Sequence, residues 1–285
     1  MQKQTQRIRV ADCSLDHTLD SGQAFRWRRS AEGVWQGVIG RQVVRVQQTG
    51  EWIEVEADDQ SGVARYFQWD VNLQEIVATF PRDEHLRAAA RTCWGLRLLK
   101  QDGWECLASF IASSTKQIVQ IKQIVDHLSR ALGSPIGEQN PAGANRLYAF
   151  PTVEAVAGST HEVLWNCKLG FRAKYLLASA RMIAEGRLDL ARVAGMHCDE
   201  AKEYLCALPG VGEKIASCVL LFACGKREAF PIDVWVERGL RQMYFRGKRK
   251  VPARRLREFA RSYFGPNAGY AQQYLFHYVR TRPRP

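Results

Sequence analysis

A change of periodicity near residue 60 constrains this chain more than any other feature. Before it, Val34–Ile39 (VWQGVI), Val43–Val46 (VVRV) and Trp52–Val55 (WIEV) are short, β-branched and aromatic, with Gly-containing turns between them. Residues 20–56 therefore read as antiparallel sheet. After it, Leu107, Phe110, Ile111, Ile118, Ile121, Val125 and Leu128 recur at helical steps with polar residues between them, the spacing that lines one face of a helix. Pro135, Pro141, Pro151, Pro209, Pro231, Pro252 and Pro266 cut the remainder into helices of ordinary length. Strands first and helices after predict an α+β protein: a small N-terminal antiparallel sheet domain over 1–80, then a mostly helical body over 81–285.

Charge narrows the choice of partner. Forty-one Lys and Arg against 29 Asp and Glu leave +12 over 285 residues. Such an excess suits a polyanion, because each neutralised phosphate releases counterions. Basic proteins also coat membranes and acidic partners, so charge alone does not choose. The longest nearly apolar stretch, 216–224, falls far short of the ~20 residues a spanning helix needs. Residues 1–10 lack the apolar core of a secretory peptide. A soluble intracellular protein with no membrane role is expected. The eight cysteines (13, 93, 106, 167, 198, 206, 218 and 224) include no C-x-x-C, and no His pair completes a zinc pattern. They read as reduced thiols, several on apolar helical faces, and neither a metal nor another cofactor is expected.

The chemistry concentrates in Leu208-Pro209-Gly210-Val211-Gly212-Glu213-Lys214, set between helical runs at 200–207 and 215–224. Gly210 and Gly212 bracket Val211, letting the backbone turn tightly and offer N–H groups at a helix N-terminus, a place for a phosphate. A plain helix–helix turn explains the glycines equally well, and Lys214 tips the balance. In the first turn of the second helix, the positive end of the macrodipole disfavours its ammonium, as partial burial would, leaving an amine nucleophile. Nineteen residues on, Phe230-Pro231-Ile232-Asp233-Val234-Trp235 places a carboxylate before another helical run, where it can also serve as N-cap.

These segments resemble the helix-hairpin-helix glycosylase superfamily and, within it, the 8-oxoguanine DNA glycosylase/AP lyase family. The L-P-G-V-G-x-K hairpin (about 200–224) followed by P-x-D-V carries the resemblance. Further family-like segments are Ser21–Trp27 (SGQAFRW), Ser109–Ser114 (SFIASS), Leu169–Tyr175 (LGFRAKY) and Gly269–Phe276 (GYAQQYLF). The resemblance implies that a base is flipped out of duplex DNA and that Lys214 attacks C1′ to form a Schiff base open to β-elimination. It implies that Asp233 stabilises the charge developing on the sugar. It gives Gly22 a backbone carbonyl that accepts the N7 proton of 8-oxoguanine, Gln272 the base's Watson–Crick edge, and Phe276 and Cys218 its two faces. A monomer acting on duplex DNA is expected. Iron–sulfur members of the superfamily carry four closely spaced cysteines after the catalytic Asp; the last cysteine here is Cys224, so no cluster is expected.

The chain also departs from the family. Animal and fungal members carry Asn at the position of Thr115 and Arg at that of Gln120, both of which read the cytosine opposite the lesion. Trp235 replaces a phosphate-binding histidine, while Arg172 matches the remaining cytosine-reading Arg. Lesion recognition is therefore expected to be intact and opposite-base preference relaxed. From Arg238 to Arg257 nine Arg or Lys occur without an acid, either a solvated face or a grip on phosphates. The rival readings are a superfamily glycosylase acting on alkylated or fragmented purines, against whose monofunctional alkyl-base form Lys214 argues, and a non-catalytic DNA-binding protein, which has no need for Lys214 and Asp233 together.

Overall fold

The alternating segments of the N-terminal part pair into a five-stranded antiparallel sheet in a computed structural model that describes residues 4–137, 146–246 and 251–282. The strands are β1 (Gln4–Arg9), β2 (Arg28–Arg29), β3 (Trp35–Ile39), β4 (Gln42–Thr49) and β5 (Trp52–Ala57), in spatial order β1-β5-β4-β3-β2. Val46 stands opposite Val55, and Val44, Val46, Ile53 and Val55 are completely buried. The periodicity predicts β3 to β5 and misses β1. Gln4–Arg9 is almost wholly polar and is placed by backbone pairing, Ile8 opposite Ile53, at the edge of the sheet.

Four helices follow or interrupt the sheet: α1 (Leu15–Leu19), α2 (Gln60–Phe67), α3 (Leu73–Ala78) and α4 (Glu84–Thr92). The body continues with α5 (Gly103–Ser113), α6 (Ile118–Leu132), α7 (Val153–Ala157), α8 (His161–Leu164), α9 (Ala173–Ala184) and α10 (Leu190–Val193). It ends with α11 (Cys198–Cys206), α12 (Glu213–Phe222), α13 (Val234–Tyr244), α14 (Ala253–Tyr263) and α15 (Ala268–Thr281). Among the described residues no helix is long and apolar enough to cross a membrane.

Helices α5 and α12 are buried almost all round, as central helices must be. Phe110 of α5 stacks on Phe222 of α12 with ring centroids 5.7 Å apart. Each such side chain contributes ~1.5–3 kcal/mol by leaving water. On the amphipathic α6, Ile121, Ile124, Val125 and Leu128 form the buried stripe. The sheet keeps its own core, from Val10 through Trp27 to Phe67, which also recruits Leu99 from beyond α4.

Buried polar groups tie the layers together. Gln23 donates to the carbonyls of Thr18 and Arg97 and accepts from Leu99 N at 2.8 Å. Arg97, only 3% exposed, bonds the carbonyls of Gln68, Val71 and Ala11. The last helix reaches back to the first: His277 meets His17 at 3.1 Å, and Arg280 donates to the Asp20 carbonyl.

Candidate active site

The hairpin is built as its glycines require. Gly210 has φ +78°, and a Cβ there would come 2.6 Å from Cβ of Tyr175, so both backbone and space demand glycine. Ser179 Oγ donates to the Pro209 carbonyl at 2.9 Å and holds the turn on α9. Gly212 caps α12 with φ −101°, and nothing lies within 4 Å of a Cβ added there. This terminus is open to solvent.

Lys214 falls in the first turn of α12, with its side chain turned toward the end of α5. Its Nζ donates to Ser113 Oγ at 3.1 Å and stands 5.0 Å from the centroid of the Phe110 ring. Ser113 Oγ donates its own proton to the Phe110 carbonyl at 2.7 Å, so it meets the amine as an acceptor. Asp233 is the N-cap of α13 and accepts from Val236 N at 2.8 Å. Burial raises its carboxyl above the usual range, while that N–H and the charge of Lys214 hold it down. One turn on from Lys214, the Cys218 thiol is pushed up to about 11, first by burial, with Lys214 and Asp233 acting in opposite senses. Cys218 therefore faces the site as a neutral thiol.

These groups share a cavity of ≈ 550 Å³ lined by Gly22, Thr115, Lys214, Cys218, Asp233, Trp235, Gln272 and Phe276. Gln272 is 4% exposed, and its Oε1 has no hydrogen-bond partner. Buried acceptors are nearly always satisfied, so this amide is set for a donor. Gly22 has φ +75°; a Cβ there would lie 2.7 Å from Ile118 Cδ1 and 3.4 Å from Phe276 Cε1. Among the described residues no donor reaches its carbonyl.

Of the other expected residues, Arg172 and Gln120 lie outside the cavity, while Thr115 and Trp235 stand on its lining. Arg172 is 3% exposed; Nε and Nη2 bond the Ser114 carbonyl at 2.9 and 2.7 Å, and Nη1 bonds that of Leu169 at 2.6 Å. It clasps the loop after α5 and presents no open donor fork. Gln120, exposed in the first turn of α6, accepts from Gln117 N at 3.1 Å as part of the helix cap. Thr115 has φ +59°, a strained conformation for a β-branched residue. Trp235 carries the Arg238 guanidinium 5.2 Å above its ring. The basic run meets acids that the fold supplies: Arg241–Glu237 at 2.5 Å, Arg254–Glu258 at 2.7 Å and Arg257–Glu213 at 3.1 Å. Lys248, Arg249 and Lys250 of that run lie outside the described residues.

Sequence reasoning missed Ser113 and Phe110 as partners of Lys214, since contacts across 101 positions leave no local pattern. Phe171 is 54% exposed, close to the positive-φ residues Lys168 and Gly170.

Residues 6–107 match the family model described as 8-oxoguanine DNA glycosylase, N-terminal domain, and residues 108–263 match HhH-GPD superfamily base excision DNA repair protein. A probable N-glycosylase/DNA lyase of Methanothermobacter thermautotrophicus is 31% identical over 96% of both chains. The N-glycosylase/DNA lyase OGG1 of Arabidopsis thaliana is 28% identical over 95% of this chain and 78% of its own. The 8-oxoguanine glycosylase/lyase of Clostridium acetobutylicum, solved with duplex DNA containing cytosine opposite 8-oxoguanine, superposes with a TM-score of 0.89. It is 32% identical and covers 98% of this chain and 99% of that one. By these matches over nearly its whole length, the chain belongs to the 8-oxoguanine DNA glycosylase family of the HhH-GPD superfamily.

Proposed function

We propose that the chain excises 8-oxoguanine from duplex DNA as an N-glycosylase and then cleaves the resulting site as a DNA lyase, with Lys214 as the nucleophile. The observation that carries this reading is a pair of open acceptors, the Gln272 Oε1 and the Gly22 carbonyl, in the cavity that holds Lys214 and Asp233. The flipped nucleotide enters with its base between Phe276 and Cys218. Gly22 accepts the N7–H that 8-oxoguanine has and guanine lacks. Guanine presents a lone pair there instead, a mismatch that costs orders of magnitude in selectivity. Gln272 accepts from the Watson–Crick edge.

The Lys214 amine forms a bond to C1′ as the bond from C1′ to the base nitrogen breaks, and the base departs with the electron pair. Asp233 stabilises the positive charge that builds on the sugar. Loss of the amine proton and opening of the sugar ring leave a Schiff base, and removal of a C2′ proton then expels the 3′ phosphate by β-elimination. Gly210 and Gly212 hold backbone phosphate, and exposed Phe171 is offered to the base stack. Thr115 and Gln120 are assigned to the side of the opposite base, with Arg172 supporting the loop that carries Thr115, and Trp235 is assigned to the flanking strand. The chain acts as an intracellular monomer, with 1–80 and 81–285 as its two domains.

Borohydride trapping and single-turnover excision on 8-oxoguanine opposite cytosine, adenine, guanine and thymine test this. Wild type should cross-link, and Lys214→Gln should bind the lesion yet neither release base nor cross-link. Base release at the native rate by Lys214→Gln would remove Lys214 from the mechanism. With Gln120 on its cap, Thr115 lacking an amide and the Arg172 guanidinium taken by the Ser114 and Leu169 carbonyls, the cytosine-over-adenine ratio should stay below ~10³, since even one side-chain contact to the base gives roughly 5- to 150-fold.

A further inference from the structure

The carbonyls on either side of Gly22 are both taken. Gln273 Nε2 donates to the Ser21 carbonyl at 2.9 Å across 252 positions, and Gln101 Nε2 donates to the Gln23 carbonyl at 2.7 Å. The Gly22 carbonyl between them has no donor among the described residues. Gln273 is 2% exposed, so its amide is committed to this contact and is not free to sample others.

From this arrangement we infer that Gln273 is a specificity-determining positioning residue, which holds the Ser21–Gly22 peptide so that one fixed carbonyl tests N7 of the flipped purine. The inference rests on the Gly22 reading above and adds the group that enforces it. Discrimination by a single acceptor works only if that acceptor cannot turn away. A carbonyl free to rotate would swing off guanine's N7 lone pair, and the mismatch would cost nothing. Gly22, at φ +75° and without a side chain, has more freedom to rotate than any other residue type would. Stiffness has to come from its neighbours: Gln273 fixes the Ser21 carbonyl from α15, and Gln101 fixes the Gln23 carbonyl on the other side. Consecutive residues on a helix point about 100° apart. Gln272 thus turns its amide into the cavity, while Gln273, which also lines that cavity, gives its amide nitrogen to the loop, and one rigid helix sets both contacts to the base in register.

Gln273→Met keeps the length and removes the donor; Gln273→Glu keeps the shape and sets an acceptor against a carbonyl. Both are assayed for single-turnover excision of 8-oxoguanine and for cleavage of a preformed abasic site, which uses Lys214 but no base. In the Lys214→Gln background, binding is compared for otherwise identical duplexes carrying 8-oxoguanine or guanine. Excision should fall ~10-fold or more, the scale of one hydrogen bond. Abasic cleavage should stay within ~2-fold, and the binding preference for 8-oxoguanine should shrink. Native excision by both variants overturns the inference, as does parallel loss of excision and abasic cleavage, which would make Gln273 merely structural. If Lys214→Gln alone binds both duplexes equally, the Gly22 reading fails first and this one falls with it.

Discussion

Asp233 combines an N-cap with a partly buried charge, and the two duties separate on substitution. Asparagine caps a helix as well as aspartate, so Asp233→Asn keeps the bond from Val236 N and removes only the charge. Burial raises the folded carboxyl above its ordinary value. The unfolded chain therefore ionises it first, and stability is lost as pH rises from the unfolded titration to the folded one. The variant should thus match or exceed the wild-type Tm at pH 7 in thermal melts, while excising at least ~10²-fold more slowly. A collapse in lesion binding with normal turnover per complex would make Asp233 a cap alone. Single residues of this kind were legible where their chemistry is local: Lys214 and Asp233 each sit at a helix start that the sequence marks with Gly or Pro. Arg172 was not. Its type and segment are visible in the sequence, but that its guanidinium binds Ser114 and Leu169 depends on a loop 58 positions away.

At the scale of elements, the hairpin between α11 and α12 makes its own prediction. Gly210→Ala forces a Cβ against Tyr175 at positive φ and should destabilise by ~1–3 kcal/mol in denaturant melts. Gly212→Ala meets open space at ordinary φ and should leave stability within ~0.5 kcal/mol. If Gly212 is where phosphate approaches, its variant loses DNA affinity while keeping that stability. Equal melts for the two variants would remove the distinction. The helices α11 and α12 lie where the sequence places them, because Pro209 and the glycines punctuate them. The basic run misleads: 238–257 contains no acid, yet the fold brings Glu213 to Arg257, and Glu237 and Glu258 from just outside the run pair with Arg241 and Arg254.

For the whole molecule, the two ends of the chain meet at His17 and His277. His277 is buried, and burial, then Arg280 and then His17, push its imidazole down to about 4, with Asp20 opposing. Unfolded, it returns toward the ordinary histidine value of ~6.5. Between those values the unfolded state gains a proton that the folded state refuses, so stability is full above the upper one and is lost as pH falls toward the lower. Melts of wild type should decline across that window by up to ~3 kcal/mol, and His277→Gln should flatten the decline. An unchanged slope would assign the acid sensitivity to other groups.

The same meeting of ends sets an order of events during synthesis. Lys214 and Asp233 leave the ribosome before α15, which carries Gln272, Gln273 and Phe276, and the Gly22 loop waits some 250 residues for its anchor. A nascent chain thus holds Lys214 and Asp233 while the cavity still lacks the wall that Gln272 and Phe276 supply. Completion of α15 closes the cavity around Lys214 and Asp233 in one step, so that no enclosed site exists until that helix has been made.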